Sequence, residues 1–247
     1  MARIFVTGSS DGLGRMAAQR MAQQGHRLVL HARNPQRAQD ALQSVPSAEG
    51  VLIADLARID EVKQLAAQVN ALGRFDAVIH NAGIYEGSGQ EIFTVNVLAP
   101  YILTCLIEKP RRLVYLGSGM HLSGRSWLRS LASGGGGVSY SDSKFYVVLL
   151  MKAVARKWPD VHANAVDPGW VPTKMGGPSA PDDLEQGCET QAWLAVNADA
   201  RAQVSGRYFY HMREARIHPE AGSMALQDEF LALCEQLTGV HFAAGEE

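Results

Sequence analysis

Short uninterrupted apolar runs alternate along the chain with longer stretches whose apolar positions recur at helical spacing. Ile4-Phe5-Val6 reads as a first strand, followed by a helix over Leu13–Gln24. Further strands are predicted over Arg27–His31, Val51–Ala54, Phe75–Ile79, Arg112–Leu116, Val161–Val166 and Gly206–Tyr210. Helices are predicted between them over Pro35–Ser44, Ile59–Leu72, Gln90–Leu106, Ser139–Trp158 and Glu185–Val196. Strands that are apolar throughout belong to a parallel sheet covered by helices on both faces. Regular strand–helix alternation builds such a sheet from right-handed crossovers. The pattern therefore predicts one doubly wound α/β domain across residues 1–247, with a mainly parallel seven-stranded sheet.

Two stretches break the rhythm. Residues 119–137 contain Gly134-Gly-Gly-Gly137 and little periodicity, which predicts a long loop. Residues 170–184 carry Pro172, Gly176, Gly177, Pro178 and Pro181, a composition that suits a lid beside a rigid sheet.

Composition narrows the function classes. The 247 residues carry 23 Lys+Arg against 25 Asp+Glu, so no global charge favours nucleic acid or an anionic membrane. No apolar run approaches a membrane-spanning length, and the first strand begins too early for a signal peptide to precede it. A cytoplasmic protein is expected, and self-association into a homo-oligomer stays open. Cys105, Cys188 and Cys234 lie far apart, which argues against a disulfide framework or a zinc site. His80, His121, His211 and His218 show no metal-ligating spacing, so no metal is expected. The end of the chain, beyond Phe242, reads as a disordered tail.

The first strand runs into Thr7-Gly8-Ser-Ser-Asp-Gly12-Leu-Gly14. Gly8 can turn sharply, Gly12 lets a pyrophosphate approach the backbone, and Gly14 lets the helix pack close to the strand. The helix N-terminus then offers free N–H groups to an anion. Three glycines alone describe many tight strand–helix turns. Their place at the first crossover points to a dinucleotide and a Rossmann-type domain. A carboxylate at the end of the second strand would hold the ribose hydroxyls of NAD. This chain has His31-Ala32-Arg33-Asn34 there, and the Arg33 guanidinium suits a 2′-phosphate. NADP(H) is therefore expected over NAD(H), although any single arginine could equally be a solvated surface residue.

Together with the segments that follow, this loop resembles that of the short-chain dehydrogenase/reductase family. Asp55-Leu56 resembles the family's adenine-contacting pair, Asn81-Ala82-Gly83 its turn after the fourth strand, and Asn96 its helix asparagine. Ser118 stands where the family's catalytic serine is expected, and Tyr140-Ser-Asp-Ser-Lys144 is similar to its YxxxK signature. Pro168-Gly169-Trp170-Val171-Pro172-Thr173 resembles the segment that closes over the nicotinamide. The wording of these motifs is most similar to the retinol-dehydrogenase-like branch. The resemblance implies cofactor contacts at Gly8, Ser10, Gly12, Leu13, Gly14, Arg33, Asp55, Leu56, Asn81, Ala82 and Gly83. It implies further ones at Tyr140, Lys144, Pro168, Gly169, Val171 and Thr173. It also implies a catalytic set of Asn96, Ser118, Tyr140 and Lys144. Two departures stand out: Gly117 replaces a second serine, and the 22-residue step from Ser118 to Tyr140 is long, so residues 119–137 look like an insertion near the substrate mouth.

The implied activity is an NADP(H)-dependent oxidoreductase acting on a small-molecule carbonyl/alcohol pair. Tyr140 and Lys144, four apart, share one helix face. The ammonium is expected to lower the phenol's pKa so that Tyr140 can exchange a proton with the substrate oxygen. Ser118 would hydrogen-bond that oxygen as charge develops. By resemblance, Asn96 would hold a water that links Lys144 to solvent. His121 is either a plain loop residue or part of the substrate site. Tyr85, Trp170 and Met175 could be pocket walls or core, and Arg207–His211 a sheet-edge strand. The alternative functions are a catalytically silent cofactor-binding sensor or interaction protein, and a sugar-nucleotide epimerase, whose relatives are longer.

Overall fold

The computed structural model describes residues 1–133 and 137–243; the predicted tail after Ala243 and part of the Gly134–Gly137 run lie outside them. Its strands are β1 (Arg3–Val6), β2 (Arg27–Ala32), β3 (Gly50–Ile53), β4 (Ala77–His80), β5 (Arg112–Leu116), β6 (His162–Asp167), β7 (Tyr208–Tyr210) and β8 (Arg213–Glu214). They form one sheet in the order β3-β2-β1-β4-β5-β6-β7-β8, parallel except for the β7–β8 pair. Alternate strand residues feed opposite faces. Phe5 and Val29 join one apolar layer, whereas Ile4, Val6, Leu28 and Leu30 join the other.

The helices follow the periodicity closely: α1 (Gly12–Gln23), α2 (Pro35–Ser44), α3 (Ile59–Ala71), α4 (Gly89–Phe93), α5 (Ala99–Leu106), α6 (Leu128–Ala132), α7 (Tyr140–Lys157), α8 (Leu184–Val196) and α9 (Met224–Thr238). Residues of α1, α2 and α8 pack on one face of the sheet, and those of α3, α5, α7 and α9 on the other.

Four features depart from the expected outline. The predicted helix over Gln90–Leu106 is divided by a π-helical turn at Thr94–Leu98. Pro100 explains it: proline cannot donate to the Asn96 carbonyl four residues back, and its ring crowds that oxygen. The predicted loop after Ser118 contains a 3₁₀ turn at Gly119–Ser123 and the short α6. The sheet has an eighth, two-residue strand, joined to β7 through His211 and Met212 at φ 47° and 59°. The β7 segment is thus one strand in from the edge that the sequence predicts. Finally, α9 was not predicted, although Ser223 accepts the Leu226 amide at its start and Gly239 adopts a left-handed φ of 67° at its end.

Candidate active site

Strand order reverses between β1 and β4, and ligands of such sheets bind outside the carboxyl ends of the strands at that point. Gly8 and Gly12 take φ of 62° and 50°, and a Cβ on Gly8 would lie 2.9 Å from the Ala82 Cα. Asn81 supports the loop from beneath, its side-chain amide donating to the Thr7 and Gly8 carbonyls at 3.0 Å each. A Cβ on Gly14 would collide with that amide and with the Gly8 carbonyl. Gly14 therefore serves helix–strand packing and does not face the cleft, a correction to its expected place among the cofactor contacts.

The loop has a second support that the sequence reading missed. His31, at the end of β2, accepts the Gly8 N–H on Nδ1 at 3.0 Å, while Nε2 lies 3.0 Å from the Ala54 carbonyl. Burial lowers its pKa to about 4, so the imidazole is neutral, with its proton assigned to Nε2 by these partners. A polar residue inside an otherwise apolar strand was the available signal.

A cleft of about 1120 Å³ opens above these elements. Gly8, Ser10, Gly12 and Leu13 line it from the loop, and Arg33, Asp55 and Leu56 at one end. Asn81, Ala82 and Gly83 line its middle. Ser118, Tyr140 and Lys144 stand on the wall near Gly83, and Pro168, Gly169, Val171 and Thr173 also border the space. Arg33 is exposed and makes no ion pair among the described residues, whereas Arg37, also on the cleft, pairs with Asp11 at 3.2 Å. The donor set suits a dinucleotide: two glycines without side chains face the space, α1 begins at its edge, and the buried Asn81 Oδ1 lacks a hydrogen-bond partner among the described residues.

Tyr140 opens α7, where Ser139 and Asp142 form a reciprocal capping box. Asp142 also accepts the Arg125 amide at 2.7 Å, which ties the segment after β5 to this helix start. The Ser118 hydroxyl accepts the Met120 amide at 3.2 Å and favours the ionised form of the Tyr140 phenol. One turn on, Lys144 sits with its Nζ 5.4 Å from the Tyr140 ring centroid and donates to the Leu116 carbonyl at 2.7 Å. Burial lowers the Lys144 pKa to about 8.

The expected acidification of the phenol is not found. Burial pushes Tyr140 up to about 12, and the Asp167 charge adds to that, outweighing the Ser118 hydrogen bond. Asn96 also departs from expectation. Its side-chain oxygen accepts the Ile84 amide at 2.8 Å, and its amide donates to the Ile84 carbonyl at 2.9 Å and the Ser143 hydroxyl at 3.0 Å. That side chain joins the strand-end turn to α7 and is not among the residues that line the cleft.

The segment after β6 is strongly self-bonded. Asp182 accepts the Trp170 amide at 2.6 Å and returns its own N–H to the Trp170 carbonyl at 3.0 Å. The Trp170 indole donates to the Gly176 carbonyl at 2.8 Å. Lys174 then reaches Asp11 of the glycine loop at 2.6 Å. Tyr85, Trp170 and Met175 all line the cleft, so the wall reading holds over the core reading. His121 is fully buried instead, with Nδ1 2.8 Å from the Ser118 carbonyl. Gly117 has a steric reason: a Cβ there would lie 2.9 Å from the Tyr208 ring.

The pattern of the short chain dehydrogenase family matches residues 2–184. The chain belongs to the short-chain dehydrogenase family. An uncharacterized oxidoreductase of Emericella nidulans is 43% identical, covering 99% of this chain and all of its own length. A short-chain dehydrogenase of Penicillium rubens is 39% identical, again covering 99% of this chain and all of its own. A solved protein of Mycobacterium paratuberculosis superposes with a TM-score of 0.83 at 20% identity, over 98% of this chain and 95% of that one. As a short-chain dehydrogenase the protein is an oxidoreductase with the family's NAD(P)(H)-binding fold and a small-molecule substrate. Among the described residues no helix is long and apolar enough to cross a membrane, and no cluster of His, Cys, Asp or Glu is arranged to hold a metal ion.

Proposed function

We propose that the protein reduces a carbonyl group of a small, partly apolar compound to an alcohol, with NADPH as the cofactor. The observation that carries this reading is the meeting of Tyr140, Ser118 and Lys144 on one wall of a cleft whose other end holds the glycine loop and Arg33. The retinol-dehydrogenase-like branch remains the proposed place within the family, on the wording of the motifs.

When bound, the nicotinamide supplies the hydride. Gly8, Gly12 and the start of α1 would hold its pyrophosphate, and Arg33 the 2′-phosphate. Ser118 donates a hydrogen bond to the carbonyl oxygen and so stabilises the negative charge that develops there. Tyr140 passes its hydroxyl proton to that oxygen. A phenol held near 12 is fully protonated at neutral pH, the form a reductase needs before each turnover. Lys144, charged below about pH 8, stabilises the phenolate left behind and would hydrogen-bond the nicotinamide ribose. Asn96 acts through the turn that it fixes.

Consumption of NADPH against a panel of aldehydes and ketones tests the activity. Tyr140→Phe should keep cofactor affinity and lose about 10²–10⁴-fold in turnover. Full activity in that variant would remove Tyr140 as the proton donor.

A further inference from the structure

We infer that the substrate is a planar aromatic carbonyl compound bearing a neutral hydrogen-bond donor, a ring hydroxyl or an N–H, and that Asp167 receives that donor. This inference rests on the reductase reading above and narrows its substrate.

Two independent features carry it. The first is the rim of the cleft. Tyr85, Met120, Trp170 and Met175 all line it, yet they are 47, 42, 58 and 49% exposed. Exposed large apolar side chains gathered at one mouth mark a binding surface. The two rings are also fixed in place. Tyr85 stands edge-on to Tyr140 with centroids 4.8 Å apart, and Trp170 is held by its indole bond to Gly176 and its backbone bonds to Asp182. Rigid rings bind a flat partner without losing rotamer freedom, and the thioethers of Met120 and Met175 adapt to its outline.

The second feature is Asp167 at the end of β6, on the same cleft. One carboxylate oxygen accepts the Gly169 amide at 3.0 Å; the other has no hydrogen-bond partner among the described residues. That second oxygen faces Gly119, where a Cβ would lie only 2.9 Å away, so any larger residue there would cover it. Its charge is felt by both Tyr140 and Lys144, which places it beside the reacting end of the cleft. Lys144 already balances this negative charge locally, so a neutral donor fits the site better than a second cation.

The test compares hydroxyacetophenones, their methyl ethers, and aliphatic ketones of similar length, with NADPH in every arm. The expected order of kcat/KM is hydroxy above methoxy above aliphatic, with about tenfold or more between the first two, since a donor shared with a charged acceptor is a strong contact. Asp167→Asn keeps an acceptor for Gly169 but presents an amide in place of the free oxygen. It should erase or reverse the hydroxy-over-methoxy ratio, with NADPH affinity, read by nucleotide fluorescence, as the check on a folded cleft. Trp170→Ala should shrink the aromatic-over-aliphatic ratio. Equal or better use of aliphatic ketones, or equal rates for hydroxy and methoxy compounds, overturns the inference while leaving the reductase reading intact. Failure to consume NADPH with any carbonyl overturns the reductase reading itself. Should Asp167→Asn fail to fold, the wild-type ratios alone decide.

Discussion

Two buried histidines should make this protein sensitive to mild acid. His31 ties Gly8 to Ala54, and burial lowers its pKa from 6.5 to about 4. His80, at the end of β4, stacks on Tyr115 at 4.9 Å, and burial lowers its pKa from 6.5 to about 3. Between these folded values and 6.5 the unfolded chain binds a proton at each site that the native protein does not. Stability therefore rises with pH across that window; it is complete above 6.5 and is lost as pH falls toward 4 and then 3. At about 1.4 kcal/mol per unit, the losses are roughly 3 kcal/mol for His31 and roughly 5 kcal/mol for His80. Against an ordinary domain stability of about 5–15 kcal/mol, the two losses together remove about half of it or more. Urea unfolding followed by tryptophan fluorescence at a series of pH values measures the slope. His80→Phe keeps a ring against Tyr115, whose hydroxyl retains Thr104 at 2.9 Å, but cannot take up a proton. Its stability should fall less steeply below pH 6.5 than that of the wild type. Parallel curves for the two proteins would refute the assignment. Cofactor affinity of the folded protein should weaken only as pH falls toward about 4, where native His31 takes up its proton and can no longer accept the Gly8 amide.

Three further outcomes are expected. Arg33→Ala should weaken NADP(H) binding about tenfold or more while NAD(H) binding changes little, as fluorescence titration would show; equal loss for both would remove the 2′-phosphate role. Lys174→Ala removes an ion pair whose lysine is 74% exposed, worth at most about 1 kcal/mol, so stopped-flow release of the cofactor should quicken only a few-fold and lose part of its salt dependence. Gly117→Ser drives an atom against the Tyr208 ring and should cost about 1–3 kcal/mol in thermal or urea unfolding, with no gain in activity.

Much of the fold was legible because a buried parallel strand and an amphipathic helix leave different periods in the sequence. Helix α2 falls at its predicted limits, Pro35–Ser44, because proline starts it at the first position and Asn34 caps it. The π-helical turn was hidden because the apolar pattern of Thr94–Leu98 fits either winding; only Pro100 hinted at it. Strand β8 is two residues long, too short to show any period. In the site, residue types and order pointed to the glycine loop and the Tyr140–Lys144 pair. They could not reveal what each side chain touches once folded. Asn96 turned inward to Ile84, His31 became a support for the loop, and Asp167 entered the cleft from the end of a strand that was predicted to stop at Val166. The direction of the Tyr140 shift was equally out of reach, since spacing says that an ammonium is near but not how deeply the phenol is buried.

The contact between Lys174 and Asp11 has a kinetic corollary. It bridges the segment after β6 to the first crossover, across the dinucleotide half of the groove, whereas the aromatic rim opens to solvent on its own side. The bridge thus ties two segments that border the same cleft, and because its lysine is largely exposed it adds no more than about 1 kcal/mol to any motion that parts them.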